Sequence, residues 1–154
     1  MATAGLTHGG FYRHFESKDQ LVAEACAAAM RSLDETAETW ARRGAGKKAL
    51  AVILTSYLST DHRDNVADGC PFAGLGSELA RSDDKTRAAA TTGFLKVVDV
   101  LAKKYRQTNP KGAKTRALMA AATMVGAVTM SRIVTDPKLS AAILQSTKRH
   151  LVRI

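Results

Sequence analysis

Residues 4–21 read AGLTHGGFYRHFESKDQL, and the rest of the chain is best interpreted outward from this stretch. Thr7 is a favourable N-cap, so a short helix is expected from there to about Phe15. After a break at Glu16, the sequence Ser17-Lys18-Asp19-Gln20 is a capping box that predicts the start of a second, long helix. The stretch therefore predicts a short helix that is followed, after a tight break, by the start of a long helix.

The short helix has two different faces on a helical wheel. Phe11 and Phe15 lie four residues apart and share the face that is expected to point inwards. The other face carries polar and small residues, namely His8, Gly9, Tyr12 and Arg13. These are the parts of a recognition helix, which enters the major groove and offers side-chain and backbone donors to bases and phosphates.

The same segment resembles the recognition-helix signature of the TetR (tetracycline-repressor) family. The family pattern is approximately Ala-Gly-Val-Ser/Thr-x-Gly-x-Leu/Phe-Tyr-x-His-Phe-x-x-Lys-x-x-Leu. The residues that match it in register and without a gap are Ala4, Gly5, Thr7, Gly9, Phe11, Tyr12, His14, Phe15, Lys18 and Leu21. Residues 68–72 and 124–137 also resemble parts of the family's ligand-binding and dimerising helices, less specifically.

The resemblance implies a ligand-responsive transcriptional regulator, typically a repressor, that binds operator DNA as a homodimer. It implies contacts to phosphates or to the helix frame from Thr7, Gly9, Tyr12, His14 and Lys18. It places His8 and Gly10 at the variable base-reading positions, with Arg13 nearby. Gly10 has no side chain, so base specificity would come from His8, from Arg13 or from DNA shape.

The N-terminus departs from the family pattern. The family places two further helices before the signature, and the helix-turn-helix needs the second of them. Only MATA precedes Gly5 here, which indicates either a truncated reading of a longer gene or a natural form without half of its DNA-binding unit. We expect the 154-residue chain to bind operator DNA weakly or not at all. The alternative is a truncated helical dimer that binds a small apolar ligand without acting on DNA.

The whole chain is predicted to be all-α. Prolines are few, and no stretch keeps the period of two that is typical of strands. We expect a partial helix-turn-helix in residues 1–22 and a helical ligand-binding and dimerisation domain in 23–154. Helices are predicted at about 18–43, 46–59, 71–81, 83–107, 114–134 and 136–153, with 61–65 as a loop.

Composition limits the class of protein. A length of 154 residues suits one globular domain. Two cysteines exclude a disulfide-rich secreted scaffold, and the N-terminus has no signal-peptide pattern. The longest nearly charge-free run, 117–131, is shorter than the roughly 20 residues that cross a bilayer. We therefore expect a cytoplasmic protein with reduced thiols and no membrane partner.

The chain has a net charge of +9, but the excess of basic residues does not lie in the DNA-reading segment. Residues 1–40 carry a net charge of −3, whereas residues 100–154 carry +10. The basic residues of the last third are typical of a solvated face, although they could also attract acidic partners nonspecifically. The prediction of DNA binding therefore depends on the signature alone.

Aromatic and methionine residues mark a candidate cavity. By resemblance to the family, some of them would line a pocket between the helices for an apolar or aromatic small molecule. A plain hydrophobic core explains the same spacing. The candidate ligand-binding residues are Trp40, Tyr57, Phe72, Phe94, Met119 and Met124.

Cys70 is a candidate redox sensor, because a helix start can lower the pKa of a thiol. A small buried side chain is the alternative, and Cys26 is expected to be part of the core. The spacing of the acidic residues and His62 within 61–70 fits neither a calcium loop nor a zinc pair, so we expect a solvated loop and no metal. No catalytic motif or phosphate loop is present, so no enzyme activity and no cofactor are predicted.

The last two helices are predicted to form a homodimer. Small and apolar residues recur along them with helical spacing, which favours close helix packing. The alternative is that this stripe closes the core of the monomer. The stripe consists of Ala121, Ala122, Val125, Val128, Thr129, Arg132, Leu139, Ile143, Leu144, Thr147 and Leu151.

Overall fold

The computed structural model describes residues 14–16, 18–42 and 46–154, without the side chains at 18, 19 and 34. Within these ranges the chain forms seven α-helices and no strand, which confirms the predicted all-α class. None of the described helices combines the length and the apolar character needed to cross a membrane. The helices are α1 (Lys18–Arg42), α2 (Gly46–Tyr57), α3 (Thr60–Asp64), α4 (Pro71–Arg81), α5 (Asp84–Thr108), α6 (Ala113–Ile133) and α7 (Pro137–Arg153).

Local capping signals set the starts of the long helices. The side chain of Gln20 accepts a hydrogen bond from the backbone N–H of Glu16 at 2.6 Å, just before α1 begins. Asp83 accepts from the N–H of Thr86 at 2.9 Å and caps α5. Asp136 caps α7 in the same way, with proline at the first helical position. The caps at Asp83 and Asp136 satisfy backbone donors that a helix leaves unpaired at its N-terminus, whereas the Gln20 bond fixes the residue that leads into α1.

Helix α5 lies at the centre of the bundle. It packs on α1, α2 and α6, while α7 packs on α6 and α2. Both cysteines are free, so apolar burial rather than a disulfide holds the fold together. Cys26 is buried in this core as expected. The largest fully buried side chains are Tyr105, Ile53, Leu54, Leu101, Met124, Leu151, Val98, Val128 and Cys26.

The prediction of a loop at 61–65 is wrong for 61–64, because Thr60–Asp64 form the single helical turn α3. Residues 61–69 are exposed or half-buried, and 65–69 are not helical. The hydroxyl of Ser59 accepts from the N–H of His62 at 3.1 Å and caps the turn. Arg132, from α6, donates from Nε to the carbonyl oxygen of Arg63 at 2.8 Å and from Nη2 to that of His62 at 3.0 Å. These bonds satisfy carbonyls that so short a helix cannot pair by itself.

Helices α1 and α5 approach each other closely at Gly93. A Cβ added at Gly93 would lie 3.1 Å from Sδ of Met30 and 3.3 Å from Cδ2 of Leu33. Such distances are tighter than ordinary side-chain contacts, so the absence of a side chain at Gly93 permits this crossing.

Helix α5 also holds the C-terminal end of α1. The ammonium group of Lys104, which is buried, donates to the carbonyl oxygen of Ala41 at 3.1 Å. One turn further along α5, the side-chain oxygen of Gln107 accepts from the N–H of Gly46 at 2.7 Å, where α2 begins. Helix α1 is therefore fixed to α5 at its C-terminal end and crosses it closely at Gly93.

Candidate ligand-binding site

A cavity of about 140 Å³ opens between α1, α2 and the segment that leads into α4. Its outer part is polar, with the side chains of Ser32, Thr36, Ser56 and Asp68. A smaller apolar cavity of about 20 Å³ adjoins it deeper in the bundle. The two share a wall that consists of Leu33, Trp40, Tyr57 and Cys70. The lining is mostly apolar with few polar groups, as in ligand sites, although the volume is small for one.

Five of the six candidate ligand-binding residues come together at the smaller cavity. The ring of Trp40 meets that of Tyr57 edge-on with centroids 5.9 Å apart, and Phe72 meets Phe94 likewise at 5.7 Å. Met124 closes the wall from α6. Met119, in contrast, is 58% exposed and lines neither cavity. The role of these residues in binding remains a prediction.

The hydroxyl of Tyr57 is the unusual polar group of the shared wall. The residue is only 7% exposed, and its hydroxyl oxygen has no hydrogen-bond partner of suitable geometry among the described residues. Burial raises the pKa of Tyr57 well above its ordinary value, the charge of the neighbouring Cys70 thiolate and a weak side-chain contact with its sulfur raise it further, and Arg132 opposes the change. The sulfur contact does not reach the geometry of a hydrogen bond. The phenol therefore stays protonated and is able to donate a hydrogen bond.

His62 connects α3 to the residue that caps α4. Its Nδ1 lies 2.7 Å from the carbonyl oxygen of Tyr57, and its Nε2 accepts from the N–H of Cys70 at 3.0 Å. This pairing fits a neutral ring with its proton on Nδ1. Burial lowers the pKa of His62, the bond to Tyr57 opposes that change, and the charge of Arg132 lowers it further. No local sequence pattern indicates this role of His62.

Cys70 lies at the N-cap of α4 and is buried, with 8% of its surface exposed. Its backbone N–H is bonded to His62, and its side chain makes no capping hydrogen bond. The proposed redox-sensing role of this thiol remains a prediction. Across the described ranges, no group of three or more His, Cys, Asp or Glu side chains is placed to hold a metal ion.

The candidate DNA-contacting residues are only partly described. Thr7, His8, Gly9, Gly10, Tyr12 and Arg13 lie outside the described residues. His14 is exposed in a turn, and Lys18 is the first residue of α1. Helix α1 runs without a break across the predicted domain boundary at 22/23. It therefore connects the end of the signature directly to the cavity wall at Ser32 and Trp40.

The predicted dimer stripe is divided between the core and the surface. Ala121, Val128, Leu144 and Leu151 are buried within this chain, so they close the monomer core. Helix α6 is apolar around most of its circumference, and spacing alone did not show which side faces its neighbours. The outer side of α6, which we call the α6 outer face, consists of Leu118, Met119, Ala122, Gly126, Met130 and Ile133.

Two family models match the sequence. One, described as bacterial regulatory proteins of the tetR family, matches residues 1–25. The other, described as the C-terminal domain of LmrA/YxaF-like transcriptional regulators, matches residues 46–145 and so covers well over half of the chain. No curated protein matches the sequence significantly.

A solved structure shares the fold. It is the crystal structure of the reduced form of E. coli NemR, with a TM-score of 0.67 and 20% sequence identity. The alignment covers 99% of this chain and 82% of that one. At this level of identity the likeness shows the arrangement of helices and no more.

Proposed function

Because this chain belongs to the tetR family of bacterial transcriptional regulators, with an LmrA/YxaF-like C-terminal domain, we propose that it is a ligand-responsive repressor. With a complete helix-turn-helix it acts in the cytoplasm as a homodimer on operator DNA, and a small, mostly apolar effector controls it. The observation that carries the proposal is the course of α1. This single helix begins at the end of the DNA-reading signature and forms one wall of the cavity.

The mechanism that we propose is a tilt of α1. Leu33 packs against α5 at Gly93 and also lines both cavities, so a ligand that enters the cavity presses on α1 near the crossing. The C-terminal end of α1 is held by Lys104. A displacement at Leu33 is therefore transmitted towards the N-terminal end.

The N-terminal half of α1 has room to move. A cavity of about 430 Å³ lies between it and the start of α5, lined by Gln20, Glu24 and Met30 on one side and by Asp83 and Thr86 on the other. A tilt there changes the distance between the two recognition helices of a dimer. Because half-site spacing is fixed by the DNA helix, such a change weakens operator binding.

The α6 outer face supports the homodimer. Met130 is 48% exposed and Ile133 63%, and Leu139 of α7 is exposed close by along the chain. A contiguous apolar surface of this kind typically marks an interface in a water-soluble protein. In a twofold dimer the same face of each subunit covers the other.

A selection experiment tests the repressor function. The chain, and a form extended upstream in the same reading frame, are each incubated with a randomised duplex DNA library, and bound sequences are recovered. We expect at least the extended form to enrich an inverted repeat, because a homodimer reads two half-sites. Recovery of no common sequence by either form would exclude operator binding and favour a ligand-binding dimer that does not act on DNA.

A further inference from the structure

We propose that the effector is a neutral molecule about the size of one six-membered ring, with a hydrogen-bond acceptor that receives the hydroxyl proton of Tyr57. This inference depends on the proposed ligand-responsive function and specifies the chemistry of its site. It comes from three observations on the cavity: its volume, the unpaired donor in its wall, and the lack of a charged partner in its apolar part.

The volume sets the size. The outer cavity measures about 140 Å³ and the inner one about 20 Å³. An engineered apolar cavity of roughly 150 Å³ is known to bind benzene, whereas drug-sized ligands occupy about 300 Å³ or more. One ring therefore fits against Trp40 and Leu33, and a small substituent can extend towards the polar opening.

Among the buried polar groups of the wall, one hydroxyl donor is left for a ligand. Both ring nitrogens of His62 are engaged by backbone groups, and the backbone N–H of Cys70 is one of their partners. The hydroxyl of Thr36 donates to the carbonyl oxygen of Ser32. Tyr57 alone combines burial with an unpaired hydroxyl among the described residues that line the cavity.

A hydroxyl at position 57 with no polar contact except a weak one to the Cys70 sulfur brings little structural benefit. Phenylalanine would fill the same space without removing a polar group from water. Tyr57 lines both cavities, so a molecule in either one lies beside it. A ligand oxygen that accepts its proton satisfies the hydroxyl, which gives the tyrosine a function that phenylalanine lacks.

The surroundings favour a neutral ligand. The inner wall contributes aromatic rings and methionine but no counter-ion, and burying an unpaired charge there is costly. Asp68 stands at the opening and repels anions. Arg132 lines neither cavity; its Nε and Nη2 bind the carbonyl groups of Arg63 and His62, and its buried Nη1 has no partner among the described residues.

Two probes of matched shape test the assignment. Acetophenone carries a carbonyl group, and α-methylstyrene replaces the carbonyl oxygen with a CH₂ group of similar size. Binding is followed by calorimetry and by the fluorescence of Trp40, which is the only tryptophan and lines both cavities. We expect acetophenone to bind about fivefold more tightly, which corresponds to one net hydrogen bond.

The variant Tyr57→Phe assigns the difference to one hydroxyl. It should remove the preference for acetophenone and leave the affinity for α-methylstyrene unchanged. Tyr105→Phe is the matched control, because the Tyr105 hydroxyl is also buried but donates to the carbonyl oxygen of Leu151, away from the cavity. This control should keep the preference of the unmodified protein.

Each other outcome contradicts the inference. Equal binding of the two probes, or a preference that survives Tyr57→Phe, would show that Tyr57 does not select an acceptor. Binding of neither probe up to its solubility would show that the size class is wrong. None of these results affects the DNA selection described above, so failure of this inference is distinguishable from failure of the repressor function.

Discussion

The Nε2 atom of His62 accepts a hydrogen bond from the backbone N–H of Cys70, with 3.0 Å between the two nitrogens. This bond ties α3 to the start of α4 and so fixes one side of the cavity opening. Gly69 lies against it, since a Cβ there would be 3.4 Å from Nε2 and 2.7 Å from the carbonyl oxygen of Asn65. The closeness of Gly69 leaves little space for the His62 ring to move. A proton on Nε2 would therefore break the bond to Cys70 without room for the ring to find another partner.

The free energy of unfolding is expected to decrease as the pH decreases, because of His62. Burial lowers the pKa of the folded state below the ordinary value of 6.5, so below pH 6.5 the unfolded chain binds a proton that the folded chain resists. The free energy of unfolding should decrease as the pH falls from 7.5 through 6.5 towards the folded-state pKa. Because the ring is only half-buried, the slope should stay well below the limit of about 1.4 kcal/mol per pH unit.

Urea denaturation between pH 7.5 and 5.5 measures this effect. The variant His62→Gln keeps an amide donor and acceptor without titrating, and should flatten the pH dependence. His150→Gln, on the exposed side of α7, is the control and should leave it unchanged. Asp64 and Asp83, whose pKa values are lowered by hydrogen bonds from Arg63 and Thr86, act only in a more acidic range. If the free energy of unfolding changes with pH equally in His62→Gln and in the unmodified protein, His62 is not the cause of the pH dependence.

The helices could be predicted because their signals are local. Gln20, Asp83 and Asp136 lie within four residues of the groups they cap, so a short window of sequence contains both partners. The turn α3 is different. Its carbonyl groups are satisfied by Arg132, which is 70 residues from His62 in the sequence. No local pattern encodes that contact, although Ser59 followed by Asp61 is a weak capping signal.

The cavity could be predicted only in part for a similar reason. The resemblance to the family makes Tyr57 and Met124 pocket candidates, whereas their spacing alone is equally consistent with a plain hydrophobic core. The same reasoning included Met119, because α6 is apolar on several sides and only its packing on α5 and α7 shows which side is inside. The unpaired hydroxyl of Tyr57 depends on the position of every neighbour and is visible only in three dimensions.

Tyr57→Phe is expected to be neutral or stabilising by up to about 1 kcal/mol in the absence of ligand, because it removes a buried hydroxyl that has no partner. Tyr105→Phe should instead destabilise the fold by about 1 kcal/mol, since it leaves the carbonyl oxygen of Leu151 without this donor. Thermal and urea unfolding of the two variants provides the comparison. A loss of stability in Tyr57→Phe as large as that in Tyr105→Phe would mean that the hydroxyl of Tyr57 is paired.

Gly93→Ala is expected to lower the free energy of unfolding by about 1 kcal/mol, because overpacking at the crossing of α1 and α5 outweighs the gain in helix propensity. The new Cβ would lie 3.1 Å from Sδ of Met30. Gly76→Ala is the matched control, because a Cβ at this helical position meets nothing within 4 Å. Because Gly76 directly follows the kink at Leu75, the gain in helix propensity should be up to about 0.5 kcal/mol, less than within an unbroken helix. Equal gains from both substitutions would show that the crossing is not tight.

Acetophenone is expected to protect Cys70 from alkylation. Cys70 lines both cavities, so a bound ring blocks access of iodoacetamide to its thiol. Cys26 is the internal control, because it lies outside these cavities and its pKa is raised by burial and by Glu78. Peptide mass spectrometry with increasing probe should show slower labelling of Cys70 and a constant rate for Cys26. Equal protection of the two thiols would indicate a global stabilisation rather than occupation of the cavity.

Met130→Glu is expected to dissociate the proposed homodimer. A glutamate on the α6 outer face would meet its own copy, or apolar side chains, across the twofold axis, and such juxtaposed charges cost several kcal/mol. The dimer dissociation constant should rise about a hundredfold, as measured by light scattering over a range of concentrations. Val52→Glu is the control, because Val52 is a similarly exposed apolar residue but lies on α2, away from this face. It should leave the dimer intact. A Met130→Glu protein that remains dimeric at low micromolar concentration, while Val52→Glu does not, would place the interface on α2 instead.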